Sequence, residues 1–330
     1  MTVPNTAADA AADMGAPAIP AAALIEGRSL GRIAWDRFKR DKIAMASGGF
    51  ILLLILLAIF ADVINHAMGL DPNVFNGNLI DTGTLLPIGP RGGMSLAHPF
   101  GLEPTNGRDL FARIVVGVRP TLIVALAATA VQMIVGIIIG AVAGYFGSWT
   151  DAVLSRITDI FLAFPILIFL IAIGSIIPVN AFGLSGWSLH IVVMVVVIGV
   201  FSWAYQARLI RGLVLSLRER EFVDAARLLG ARPSRIIFRE ILPNLASPIL
   251  VYTSLAIPAN IVLEAYLSFL GVGTPPPNAS WGQMLSTAVD SYSVDPTFML
   301  VPGLAVFLTV LAFNLFGDGL RDALDPRAGR

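Results

Sequence analysis

Two carboxylates, Asp159 and Glu264, stand inside or at the edge of long apolar stretches of this chain. Ionisable groups there are costly, so they are candidates for proton carriers, pathway walls or ion pairs that hold helices together. Asp159 follows Arg156 by three residues, a spacing at which helical side chains meet. That spacing predicts a structural pair near a membrane surface. Glu264, near the end of its stretch, could reach the interface, hydrogen-bond a neighbouring helix or line a pathway; a structural or gating role is expected ahead of solute binding. Gly136, Gly140 and Gly144 recur at every fourth position. They strip one helix face of side chains and let another backbone approach closely, within this chain or from a second one.

Residues 219–244 carry the richest pattern. Glu221 to Leu229 contains good helix formers, with Glu221 and Asp224 in the first turn, where the helix dipole favours acids. Gly230 suits the left-handed position that ends a helix. Pro233 suits the first turn of the next one, whose apolar side is Ile236, Ile237 and Leu242. Pro243 then marks the return to apolar sequence. The segment is predicted to be a short helix, a sharp turn and a second helix. Its small residues Ala225 and Ala226 would admit a close partner, so it could act as a knob in a cleft of another protein or simply be a solvated loop.

Other chemistry is excluded by what the chain lacks. A phosphate-binding P-loop needs Gly-Lys-Ser/Thr, yet the only lysines, Lys39 and Lys42, follow Phe38 and Asp41. With no cysteine and three scattered histidines, no metal site is suggested. With zero net charge there is no basic excess for nucleic acid.

The elements that must position these residues are membrane spans. Only 13% of the 330 residues are charged and 56% are apolar, with mean hydropathy +0.80. A soluble domain runs near 25% charged, and a helix needs about 20 apolar residues to cross a bilayer. Long charge-free or nearly charge-free runs predict an all-α membrane protein with six spans, at about 43–66, 119–146, 153–176, 188–208, 245–270 and 296–317. Pro165 and Pro302 fall inside two of them and can kink a helix. Eighteen of the 22 Lys and Arg residues fall on one side of this layout, eight of them in the 208–244 loop. Only Arg91, Arg108, Arg113 and Arg119 fall on the other. The positive-inside rule then places both termini in the cytoplasm. The Ala-rich first part of the 1–42 tail has no basic residue before Arg28 and reads as disordered, so 43–66 is an uncleaved anchor. Trp281 and Tyr292, in the external 271–295 loop, suit either interfacial anchoring or a contact surface.

The run Asp224-Ala225-Ala226, Gly230 and Leu242-Pro243 resembles the EAA loop of bacterial ABC importer permeases, with Asp224 where the name-giving Glu usually stands. Further segments are similar to the C-type subunit of the dipeptide/oligopeptide/nickel branch. These are His98-Pro99-Phe100-Gly101, Gly107-Arg108-Asp109, Glu264 to Gly273, Ser280-Trp281-Gly282, and Phe313 to Arg327. The resemblance implies a type I importer permease: anchor 43–66, external loop 67–118, a five-helix core at 119–317 with coupling loop 208–244, and cytoplasmic tail 318–330. It implies that Glu221, Asp224, Ala225, Ala226, Gly230, Leu242 and Pro243 couple the chain to an ATPase. The implied partners are a homologous second permease, two cytoplasmic ATPases that use ATP and Mg, and an external solute-binding protein, and the implied location of the chain is the bacterial inner membrane. The chain itself would hold no cofactor and catalyse nothing. Di- and oligopeptides are the expected cargo, with nickel, glutathione or oligosaccharide as alternatives. An ion-coupled secondary transporter using Asp159 or Glu264 is the competing class.

Overall fold

A computed structural model describes residues 30–174, 176, 180–181 and 183–325. The tail expected to be disordered lies outside them up to residue 29. The helices are α1 (Leu30–Phe38), α2 (Lys42–Ala67), α3 (Leu110–Phe146), α4 (Ser148–Ala163), α5 (Ile166–Gly174), α6 (Gly186–Leu217), α7 (Glu221–Leu228), α8 (Ala246–Phe269), α9 (Trp281–Ala288) and α10 (Pro296–Leu324). A two-residue hairpin, Asn180–Ala181 with Leu184–Ser185, joins α5 to α6. Five helices are long and apolar enough to span, and the bent pair α4–α5 makes a sixth.

Three spans outrun their charge-free stretches. α3 begins at Leu110 rather than at 119, α6 runs to Leu217 rather than 208, and α10 runs to Leu324 rather than 317. At 1.5 Å per residue α3 is about 55 Å long, well beyond a hydrocarbon core of about 30 Å. Hydropathy marks only the part in oil, while helical hydrogen bonding continues into charged flanks. Charges in the flanks of α3 and α6 find partners on neighbouring helices. Arg119 donates to Ala58 O (2.5 Å) and Asp62 Oδ2 (2.8 Å) on α2, and Arg211 donates to both carboxylate oxygens of Asp151 on α4.

The third expected span is broken. Phe164 is extended, as the residue before a proline tends to be, and α4 and α5 meet at 73° beside Pro165. Pro302, in contrast, sits inside an unbroken α10.

The glycine face of α3 packs on α6. A Cβ at Gly136 would lie 2.7 Å from Gln206 Cβ, one at Gly140 2.9 Å from Ile210 Cβ, and one at Gly144 2.8 Å from Val214 Cβ. Of the two partners the spacing allowed for this face, the described chain supplies α6.

At the N-terminal end of α3, loops and α9 close the bundle. Asp109 caps α3 through Ala112 N (2.7 Å) and meets His98 Nδ1 (2.7 Å). Glu103 takes both Nε and Nη2 of Arg108 (2.5 and 2.8 Å). Trp281 is not an interfacial anchor. It is 1% exposed, donates Nε1–H to Ile114 O (3.0 Å), and forms a core with Phe298, Leu122 and Phe313.

Candidate functional site

The site has two parts, a loop at one end of the bundle and a groove in its middle. At the C-terminal end of α3, α7 lies against the bundle through a fully buried Val223, which packs with Val214 of α6, Ala141 of α3 and the buried Ile236, Ile237 and Ile241. α7 ends in a Schellman turn. Gly230 has φ 75°, its N–H reaches Arg227 O (2.9 Å), and Ala231 N–H reaches Ala226 O (3.1 Å). Pro233 starts the next helical segment, which passes through a π-helical stretch at Ile236–Ile241 before Leu242–Asn244 and α8. The wider turn at 236–241 brings Ile236, Ile237 and Ile241 all onto the bundle.

One face of the loop is thus committed to the chain's own core. The other is bare. Glu221, Asp224, Ala225 and Gly230 are exposed, and Leu228 and Leu229 are 90% and 87% exposed at the tip. Two adjacent, almost fully exposed leucines on an element fixed by its opposite face form a bare apolar tip. Arg227 closes the side of α7, bonding Asp224 (2.9 Å) and lying over the Tyr145 ring.

The groove, of about 460 Å³, lies between α4, α6 and α8 and reaches Gln132 on α3. One wall is aromatic. Phe201 packs with Phe161, Phe164 and Phe169 at ring separations of 5.4, 6.2 and 4.4 Å. The break at Pro165 turns Phe164 and Ile166 towards it. The lining also carries amides: Asn260 Nδ2 donates to Thr129 Oγ1 (2.8 Å) and Gln132 Oε1 (3.3 Å), and Gln206 shares the lining with them. No charged residue is among the described residues that line it. The loop joins α6 to α8, and both helices form groove walls. Gln206 is about 16 Å of continuous helix from the end of α6.

The family model described as binding-protein-dependent transport system inner membrane component matches residues 136–330, and one for the N-terminal TM domain of oligopeptide transport permease C matches residues 29–78. The chain belongs to this permease family. It is 39% identical to the glutathione transport system permease protein GsiD of Pectobacterium atrosepticum, across 89% of this chain and 90% of the relative. It is 36% identical to the oligopeptide transport system permease protein OppC of Haemophilus influenzae, across 92% and 90%. With OppC of Bacillus subtilis the identity is 35%, across 91% and 90%. Among solved structures, a chain of the MetNI methionine ABC transporter superposes with TM-score 0.53 at 19% identity, covering 66% of this chain and 98% of that one, which establishes a shared fold. The chain is therefore an inner-membrane permease component of an ABC importer, and membership implies ATPase and solute-binding partners.

In this permease the sequence-picked residues divide into separate places. Glu221, Asp224, Ala225, Ala226 and Gly230 fall together on α7 and its turn, while Leu242 and Pro243 sit at the base of the loop, with Leu242 packed on the same core. Asp159 does not pair with Arg156. Its carboxylate takes Arg208 of α6, because the tight α3–α6 seam brings α6 alongside α4. That pair is half exposed beside a small cleft of about 30 Å³ that includes Gly140, away from the groove's amides. Glu264 is completely buried, accepting from Thr121 Oγ1 (2.9 Å) and Ser268 Oγ (2.8 Å), so it ties α3 to α8. Neither carboxylate lines the groove. The groove residues went unnoticed in the sequence because single Gln, Asn and Phe residues on different helices share no spacing. An uncharged polar residue on an otherwise apolar span was the available signal.

Proposed function

We propose that this permease pairs with a homologous second permease across the open groove and imports short peptides, glutathione among them, by alternating access. The 18-to-4 distribution of basic residues puts α7 and both termini on the cytoplasmic side. There Leu228, Leu229 and the exposed face of α7 dock into one of two ATPases that bind ATP and Mg, and an external solute-binding protein delivers cargo at the α9 end. Closure of the ATPase pair displaces α7, and α6 and α8 move with it because Val223 and the 236–241 segment are packed onto them. Groove access then switches sides, with differential ATPase contact supplying the bias. The observation that carries this reading is that the docking loop connects the two helices that wall the groove.

Because the chain has no native cysteine, single cysteines at 224–230 give a clean test. Crosslinks to a cytoplasmic ATPase should form in importing cells and change yield on ATP binding. Vanadate should stop uptake, and a protonophore should not when ATP is held constant. Absence of any ATPase adduct, with uptake abolished by the protonophore, would replace this mechanism with ion coupling through Asp159 or Glu264.

A further inference from the structure

The groove has a more specific property than its place between moving helices. Gln206 is 6% exposed, and its Oε1 is buried with no hydrogen-bond partner among the described residues. A buried amide without a partner is unusual and calls for a reason. The other amides of the lining are not in that state, because Asn260 is held by Thr129 and Gln132. Gln206 is also seated by a position that accepts no side chain. A Cβ at Gly136 would lie 2.7 Å from Gln206 Cβ and 3.1 Å from Trp203 O. The terminal amide torsion of glutamine is soft, so a small rotation presents the carbonyl to the groove without moving the helix. Tyr205, its neighbour on α6 and 60% exposed, and the paired rings of Phe161 and Phe201 line the same groove. The lining therefore offers amide and phenol hydrogen bonds together with aromatic surface, and no charge among the described residues.

We infer that Gln206 is a solute-contacting residue whose side-chain amide takes a peptide-bond N–H of the passing cargo, making the groove a site for amide-bonded solutes recognised by backbone and apolar side chains rather than by charged ends. This deepens the import reading above and rests on it. An ammonium or carboxylate in the groove finds no opposite charge among the described residues that line it, whereas a peptide N–H completes an acceptor that has no partner among them.

The test uses the complete importer with its solute-binding protein in proteoliposomes, comparing wild type, Gln206→Met and Gln206→Asn. The probes are trialanine, trialanine N-methylated at its peptide nitrogens, and glutathione. Because the same binding protein serves every variant, differences between variants belong to the permease. Gln206→Met should cut uptake of trialanine and glutathione about fivefold to tenfold, as loss of one neutral hydrogen bond would. It should leave the N-methylated peptide at its wild-type rate, so that selectivity between the two trialanines collapses. Gln206→Asn should fall between. Equal loss for methylated and unmethylated peptide in both variants assigns Gln206 a packing role and overturns the inference, as does unchanged uptake of all three. If Gln206→Met fails to insert, Gln206→Asn alone decides on the same selectivity ratio. If wild type hydrolyses ATP in response to the binding protein but moves none of the probes, the peptide reading falls and this inference with it. Transport of the probes with unaltered selectivity in the variants sinks the inference alone.

Discussion

Replacing Leu228 and Leu229 together by serine isolates docking from folding. Both side chains are almost fully exposed, at 90% and 87%, while α7 is anchored through Val223 on its opposite face. The permease alone should hardly notice the change, since exposed substitutions cost within about 0.5 kcal/mol. If both leucines are buried in an ATPase cleft, each contributes about 1.5–3 kcal/mol of hydrophobic burial. Loss of about 3–6 kcal/mol weakens ATPase association by roughly 10²- to 10⁴-fold. The assay is ATPase retained on affinity-purified permease across a dilution series, with uptake and detergent melting measured on the same material. The expected result is an unchanged melting temperature with ATPase lost at dilutions that wild type survives. Full ATPase retention and normal uptake would refute the placement of the tip in a cleft. A lowered melting temperature would show instead that the leucines serve this chain's own fold.

Gly230→Leu should insert, melt slightly lower than wild type, and deliver less solute per ATP hydrolysed, measured in proteoliposomes. No atom blocks a side chain at that position, and only the left-handed backbone (φ 75°) resists it, at about 1–2 kcal/mol; unaltered coupling would count against the turn's role. Gly140→Leu should lower the melting temperature and the folded yield, because its Cβ would press within 2.9 Å of Ile210 Cβ and 3.1 Å of Arg211 N. Overpacking of this kind costs about 1–3 kcal/mol or more, and a stable variant would mean that the α3–α6 seam is looser than drawn. Burial holds the Asp295 carboxyl above the usual carboxylate range. A carboxyl raised in the folded state favours folding when protonated, and that contribution is lost as pH rises through its folded value. Asp295→Asn keeps the helix cap to Thr297 N and should raise the melting temperature at neutral pH, with the gain vanishing in acid. A gain independent of pH would point to a cause other than ionisation.

Composition and local pattern determined the membrane class, six spans with the bent pair taken as one, and the helix–turn–helix of residues 221–244. Those features depend on short-range physics. Oil needs runs of apolar residues, a left-handed turn needs Gly230, and a helix start tolerates Pro233. The four-residue glycine period likewise announced a close seam. Tertiary structure decided everything that depends on which helices lie side by side. It put Arg208 rather than Arg156 on Asp159, buried Trp281 and Glu264, chose α6 as the partner of the glycine face, and gathered Gln132, Gln206 and Asn260 with Phe201 around one groove. No local rule reaches that far. Each of these contacts joins residues tens to more than a hundred positions apart, and a side chain's partner is set by helix packing, which single-sequence periodicity does not encode.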